Sequence, residues 1–406
     1  MNNDVNDQAM WPTYEELQGR WSCLQSGLHQ AGIDGALFFQ NADLIYLCGT
    51  TQAEAVYVPG SGPAVVFGKP PLDRIVSEIN WATPQTLPRG QALLGSLTDH
   101  TPGGLKVLAL ELDVLPVNYY QRLAEHSLKG PQLVDGSNII RNTRAVKTSY
   151  ELGLMQRAAL KLDQVYQAVP EIMGQNVTEL ELEGSLMSLA RGAGHQGIIR
   201  FRGFNQEIFF GHILSGVNGL VPAKVGSPTG GAGVGPGLGQ GAGFRKIGRD
   251  ELVSIDLCGT HGGYTVDQAR LFFTGRTPAL VQTTYDALRD LVAALLKEIV
   301  PGATCGDLYA RSFALAERLG LGEGFMGRGA DRCPFIGHGV GLELDEWPVL
   351  ARGSKQTLLA GMTFALEPRV FLPGVGVIGL EDTYHLTAAG PEAVTITEAS
   401  IKQVFM

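Results

Sequence analysis

Apolar positions along this chain follow two periods, one helical and one alternating. Tyr14, Leu17, Trp21, Leu24 and Leu28 recur at helical spacing, and Thr13 with Glu16 fits a capping box, so a helix is predicted over 13–30. The runs DGALFF (34–39), DLIYLCG (43–49) and KVLALEL (106–112) read as strands. AVYV and AVVF flank Pro59-Gly60-Ser61-Gly62 and predict a hairpin, and a helix-like stretch follows from Tyr119 to His126. Residues 138–150 read as a connector. From Ser149 a long amphipathic helix presents Leu152, Met155, Ala158, Ala159, Leu162 and Val165 on one face, and a second helix is expected over 178–192. Strands and helices alternate from there on. The fold class is α/β (α+β) in two domains, 1–143 and 144–406, with the boundary near 140–148.

The second domain carries the candidate chemistry. In ELVSIDLCGTHGGYTVDQARLFF (251–273), two β-rich runs flank a turn at His261-Gly262. A hairpin symmetric about that pair sets Asp256 opposite Asp267. Like charges directly opposite destabilise a ladder, and Asp256 sits within the apolar run Val253, Ile255, Leu257. A buried lone carboxylate is costly, so a cation is expected between the two. The pattern recurs in MTFALEPRVFLPGVGVIGLEDTYHLT (362–387), where Glu367 and Glu381 are equidistant from Gly374. Two hairpins with paired acids predict an internal two-fold repeat with four carboxylates converging. His338, between two glycines in FIGHGVGLELDEWP (335–348), supplies a nitrogen. Four carboxylates and one imidazole suit two hard or borderline divalent ions, Mn²⁺ first, then Zn²⁺, Co²⁺ or Fe²⁺.

One further segment stands out, GSPTGGAGVGPGLGQGAG (226–243). It lacks the GK[ST] ending of a phosphate-binding loop, so it reads as an extended loop whose backbone needs positive φ or close approach.

Composition narrows the class. The 406 residues carry a formal charge of −9, which argues against sequence-independent binding of nucleic acid. The five cysteines, Cys23, Cys48, Cys258, Cys305 and Cys333, are odd in number and widely spaced, which favours a reducing compartment over a disulfide framework. The N-terminus lacks a secretory pattern, and no apolar run approaches the ~20 residues of a membrane span. A cytoplasmic protein is expected.

The order D-x(10)-D, G-H-G-x-G-L, E-P, E-D resembles the pita-bread metallopeptidase superfamily of methionine aminopeptidases, prolidases and aminopeptidase P, to which the metal-free creatinases also belong. The likeness covers the C-terminal ~260 residues by specific motifs, and more loosely a creatinase-type N-terminal domain. It implies that Asp256 binds one metal, that Asp267 and Glu381 bridge both, and that His338 and Glu367 bind the second, with Glu367 also shuttling protons. It implies hydrolysis of an Xaa-Pro peptide or related amide by metal-activated water, and a homodimer. Because all five ligands are kept, a metal-free creatinase is disfavoured.

The chain departs from that pattern at three accessory histidines. SGVNGLVPAK (215–224) has Ala223 after the proline, Pro334 stands four residues before the metal histidine, and GLELDE has Asp345. Donors to developing negative charge are worth several kcal/mol, so their loss keeps open a second reading, a metal-dependent hydrolase or lyase for a small non-peptide substrate. A non-catalytic binding protein is the third. Candidate substrate contacts are His212, Lys224, Arg200, Arg202, Asp345 and Arg369, the last where the family commonly has Gly.

Overall fold

The computed structural model describes residues 10–174, 177–224, 227–329 and 332–405. The chain divides into two compact units, Met1–Arg144 and Ala145–Met406.

The first unit contains strands β1 (Gly35–Phe38), β2 (Ala55–Pro59), β3 (Val65–Gly68), β4 (Gln85–Thr86), β5 (Val107–Leu110) and β6 (Gln132–Asp135), ordered β4-β3-β2-β1-β5-β6 in one sheet. Its helices are α1 (Tyr14–Gln30), α2 (Asn41–Cys48), α3 (Asp73–Glu78), α4 (Gln91–Asp99), α5 (Val117–Arg122) and α6 (Ser137–Ala145). Thr13 caps α1 by accepting from Glu16 N, and β2 and β3 pair antiparallel across the expected turn. Leu37, Tyr57, Phe67, Leu97, Leu108 and Leu110 are buried together on one side of the sheet.

Two segments differ from their sequence reading. Residues 43–49, expected as a strand, form α2. Gln40 caps it by accepting from Ala42 N and Asp43 N, and Gly49 ends it at φ 84°. An apolar run this short does not separate strand from helix by periodicity. The expected connector at 138–150 instead begins as α6, whose Arg144 forms a buried 2.6 Å ion pair with Asp43 of α2.

The second unit begins with α7 (Ser149–Ile172) and α8 (Glu179–Gly192). Thr148 with Glu151, and Thr178 with Glu181, form reciprocal capping boxes that fix both helix starts. Strands β7 (Gly211–Ser215), β8 (Leu252–His261) and β9 (Tyr264–Thr274) precede α9 (Ala279–Leu296) and α10 (Cys305–Arg318). Then come β10 (Phe335–Gly339), β11 (Glu346–Ala351), β12 (Thr363–Leu366), β13 (Arg369–Leu372), β14 (Gly376–Gly379), β15 (Asp382–Thr387), β16 (Gly390–Ala393) and β17 (Ile401–Val404).

One sheet runs β17-β9-β8-β7, a second runs β11-β10-β12-β15-β16, and β13-β14 form a separate ribbon. An isolated bridge, Ala269 to Glu381, joins β9 to the chain just before β15. α7 lies along β8 and β9. Leu288, Leu291, Leu295 and Ile299 are fully buried in the core that α9 shares with α10 and the second sheet. Each such side chain is worth about 1.5–3 kcal/mol, and this apolar backing supports strands that crowd carboxylates together elsewhere.

Candidate metal centre

The two acids of the first hairpin share a face, offset by one step. The β8–β9 register sets Asp256 against Ala269 and Cys258 against Asp267. The turn is therefore at Gly262-Gly263, one residue later than expected, and the two carboxylates are diagonal rather than directly opposed. Alternation still directs residues 256, 258, 267 and 269 to the same side. The second hairpin keeps the expected symmetry. Leu366 pairs with Asp382 and Arg369 with Gly379, so Glu367 faces Glu381 where the ladder is broken between sheet and ribbon. Pro368 contributes no N–H there, while its carbonyl accepts from Leu380 N at 3.3 Å.

His338 lies in β10, between β11 and β12. Its flanking glycines are there for close approach. A Cβ on Gly337 would collide with the Ala365 carbonyl, and one on Gly339 with that of Trp347. The imidazole Nδ1 is 2.9 Å from the Leu344 carbonyl and 3.1 Å from that of Gly339. Carbonyls only accept, so Nδ1 carries the hydrogen, and the lone pair of the neutral ring is on Nε2. Nε2 lies 3.4 Å from Glu367 Oε1 and 3.9 Å from Asp267 Oδ2.

The ligand atoms of Asp267, His338 and Glu381 all lie within 4.8 Å of one another. Glu381 Oε1 is buried without a hydrogen-bond partner. A cavity of about 20 Å³ opens beside them, lined by His212, Asp256, Asp267, His338, Asp345 and Glu367 among others, room for one water-sized occupant. Burial pushes Glu367 up to about 7 and Glu381 well above the usual carboxylate range. Asp267 is raised as well, by burial and then by the Asp256 charge. Burial alone would lower His338, but Asp345, Glu367 and Asp267 together raise it to about 9. The cluster is thus short of positive charge, with an imidazole nitrogen and an orphaned carboxylate oxygen at its centre. Three or four oxygen donors and one nitrogen fit a divalent ion.

Arg369 stands elsewhere than expected. Rather than facing a substrate carboxylate, it is fully buried against the protein's own acids. Its Nη2 lies 2.7 Å from Asp256 Oδ2, 2.6 Å from Glu381 Oε2 and 3.4 Å from Glu367 Oε2. It opens β13, two residues after Glu367. Lys224 lies outside the inner cavity. It is exposed and lines an outer basin of about 780 Å³ with Phe201, Phe204 and Gln240, and this basin shares only Ile208 with the inner cavity.

His212 pairs with Asp256 across β7–β8. Its Nδ1 is 2.8 Å from Thr229 Oγ1 and its Nε2 3.3 Å from Gln240 Oε1, which ties the site to the Gly-rich loop. Asp345 Oδ1 is 3.5 Å from His338 Nδ1. Arg202 lies 3.8 Å from Glu343, and the Arg200 carbonyl accepts from Leu344 N at 2.8 Å, so both belong to the wall behind the histidine.

Several supporting residues escaped the sequence reading. Thr383 bonds the Asp267 backbone. Gln268 and Arg270, on the opposite side of β9 from the acids, both donate to Asp382. Glu179 accepts from Ser215, Asn218 and Gly243 N, and Asn218 in turn accepts from Ala232 N. The Gly-rich loop is thereby anchored, and Gly231, Gly233 and Gly241 adopt the positive φ expected of it. The only sequence hint of Asp382 was its place directly after Glu381. Nothing in the local pattern marks Glu179.

A family model described as metallopeptidase family M24 matches residues 153–388, and one described as creatinase/prolidase N-terminal domain matches residues 20–146. The chain is 26% identical over 375 residues to a probable dipeptidase PepE of Mycobacterium tuberculosis, covering 90% of each. It is 23% identical over 371 residues to an Xaa-Pro dipeptidase of Pyrococcus horikoshii, covering 91% of this chain and 94% of that one. Among solved structures, the dipeptidase PepE from Mycobacterium ulcerans superposes with a TM-score of 0.76 at 23% identity, over 97% and 99% of the two chains. The Xaa-Pro dipeptidase from Bacillus anthracis does so with 0.78 at 21%, over 96% and 100%.

Proposed function

Since the chain belongs to metallopeptidase family M24, we propose that it hydrolyses short peptides, Xaa-Pro dipeptides foremost, with a divalent ion held by Asp267, His338, Glu367 and Glu381. The observation that carries the reading is His338. Its Nδ1 is committed to two carbonyls, and its Nε2 is presented to Glu367 and Asp267. A divalent ion bound there supplies Lewis acidity, polarising a carbonyl and making water a stronger acid.

The chain's own residues do the rest. Glu367, whose Oε1 lies 3.4 Å from His338 Nε2, is the carboxylate placed to accept a proton at the site and pass it on. His212 and Asp345 both line the inner cavity. Lys224 sits in the outer basin, where a positive charge suits the free carboxylate of a dipeptide. The N-donor and carboxylate set favours Mn²⁺, with Zn²⁺, Co²⁺ and Fe²⁺ as alternatives. Four of the five free cysteines are buried, which fits a reducing, cytoplasmic setting.

A second reading keeps one specific support. Asp345 stands in the cavity wall, where it adds negative charge in place of an accessory histidine, and that favours a small non-peptide substrate. The test is an Xaa-Pro dipeptide panel run with each of the four ions, on wild type and on Asp267→Ala. Cleavage that needs metal and vanishes in the variant supports the peptidase. Metal binding with no cleavage of any dipeptide moves the reading to the small-molecule enzyme.

A further inference from the structure

The acid cluster is not symmetric in its cations. Beside His338, a cavity is lined by Asp256, Asp267 and Glu367, the ligand atoms of Asp267, His338 and Glu381 lie within 4.8 Å of one another, and Glu381 Oε1 has no hydrogen-bond partner. By contrast, the space between Asp256 Oδ2 and Glu381 Oε2 is filled by a single nitrogen, Arg369 Nη2, in hydrogen-bond contact with both. The guanidinium does not serve here as a planar fork. Its Nε and Nη1 have no hydrogen-bond partner, and Nη2 alone meets three carboxylates. That is the role of a point cation rather than of the usual bidentate arginine.

Room for the side chain comes from the residue directly across the ribbon, Gly379. A Cβ at that position would lie 2.5 Å from Arg369 Nη1. An ion held by the same two oxygens at about 2.1 Å competes with Nη2 for one space and adds two positive charges beside a fixed one.

We infer that this centre binds one divalent ion, on the His338 side, and that the Arg369 guanidinium stands permanently in the place of a second. The inference rests on the metallopeptidase reading of the site and departs from the two-ion complement which the sequence resemblance implies.

The test uses the full chain, stripped by chelator and titrated with Mn²⁺ in a calorimeter, with elemental analysis after desalting and electron paramagnetic resonance of the loaded protein. Wild type is expected to bind one ion per chain, with the spectrum of an isolated Mn²⁺. Arg369→Gly is expected to bind two, with an exchange-coupled spectrum. Two tightly held ions in wild type, or a coupled spectrum there, overturns the inference, and so does failure to bind any ion. The wild-type measurements decide the matter even where the variant does not fold. One bound ion without peptide cleavage counts against the peptidase reading and leaves the one-ion assignment standing.

Discussion

Thr383 holds the backbone of Asp267 from both sides. Its Oγ1 accepts from Asp267 N and donates to the Asp267 carbonyl, each at 2.9 Å. The hydroxyl thus fixes where the Asp267 carboxylate points without touching the carboxylate itself. Thr383→Val keeps the shape and removes both bonds, leaving two buried backbone groups unpaired. We expect a loss on the order of 2 kcal/mol in urea unfolding. Metal affinity should fall by about 10–100-fold, as for other groups that orient ligands. An unchanged metal affinity in a folded variant would show that Asp267 is positioned by other means.

Without metal, the pH dependence of stability has a definite sign. Glu367 is raised from 4.5 to about 7 and His338 from 6.5 to about 9. Both bind protons more tightly folded than unfolded, so the stability they contribute is complete below the unfolded value and lost as pH passes the folded one. The chelated protein should therefore lose thermal stability steadily from about pH 4.5 to about 9. Saturating metal should flatten that slope, because bound metal displaces those protons. Stability of the chelated protein that rises across the window would contradict the buried-cluster account.

Burial lowers the His338 imidazole, and the Asp345 charge is the largest of the influences that raise it. Asp345→Asn should bring the His338 titration, followed by NMR on the chelated protein, down from about 9 toward its ordinary value. Metal binding at slightly acidic pH should then strengthen, since fewer protons must leave the ring. A titration midpoint unmoved by the substitution would assign the shift to Glu367 and Asp267 alone.

Glu179 is buried and gathers four hydrogen bonds, from Ser215 N and Oγ, Asn218 Nδ2 and Gly243 N. Glu179→Ala frees both ends of the loop that carries Thr229 and Gln240 to His212. We expect faster proteolysis and amide exchange within 227–243, and a higher KM with metal content unchanged. The stability loss should be roughly 2–4 kcal/mol, given ~1.5–3 for a bond to a charged group and the non-additivity of shared partners. Equal loss of metal would mean that the loop supports the ligands rather than the substrate.

The convergence of the acids was legible because their conflict was local. An acid in an apolar strand run, doubled across a turn, needs a counter-charge, and that much follows from spacing alone. The register of Glu367 and Glu381 followed from one turn centre, Gly374. Asp256 and Asp267 came out one step offset because three consecutive residues, His261-Gly262-Gly263, allow two turn centres. Arg369 was visible as a charge beside Glu367, but its direction depends on the absence of a side chain at Gly379, ten residues away. Glu179 and Thr383 act across distances that no periodicity encodes. In the first unit, the short run at 43–49 was helical because Gln40 and Asp43 found partners that an apolar count ignores.

A guanidinium cannot be chelated, exchanged or outcompeted. With Arg369 tethered between Asp256 and Glu381, part of this centre's counter-charge is encoded in the gene rather than drawn from the cell's supply of ions. On the one-ion assignment we infer, reloading the centre requires a single ion to return and not two to arrive together.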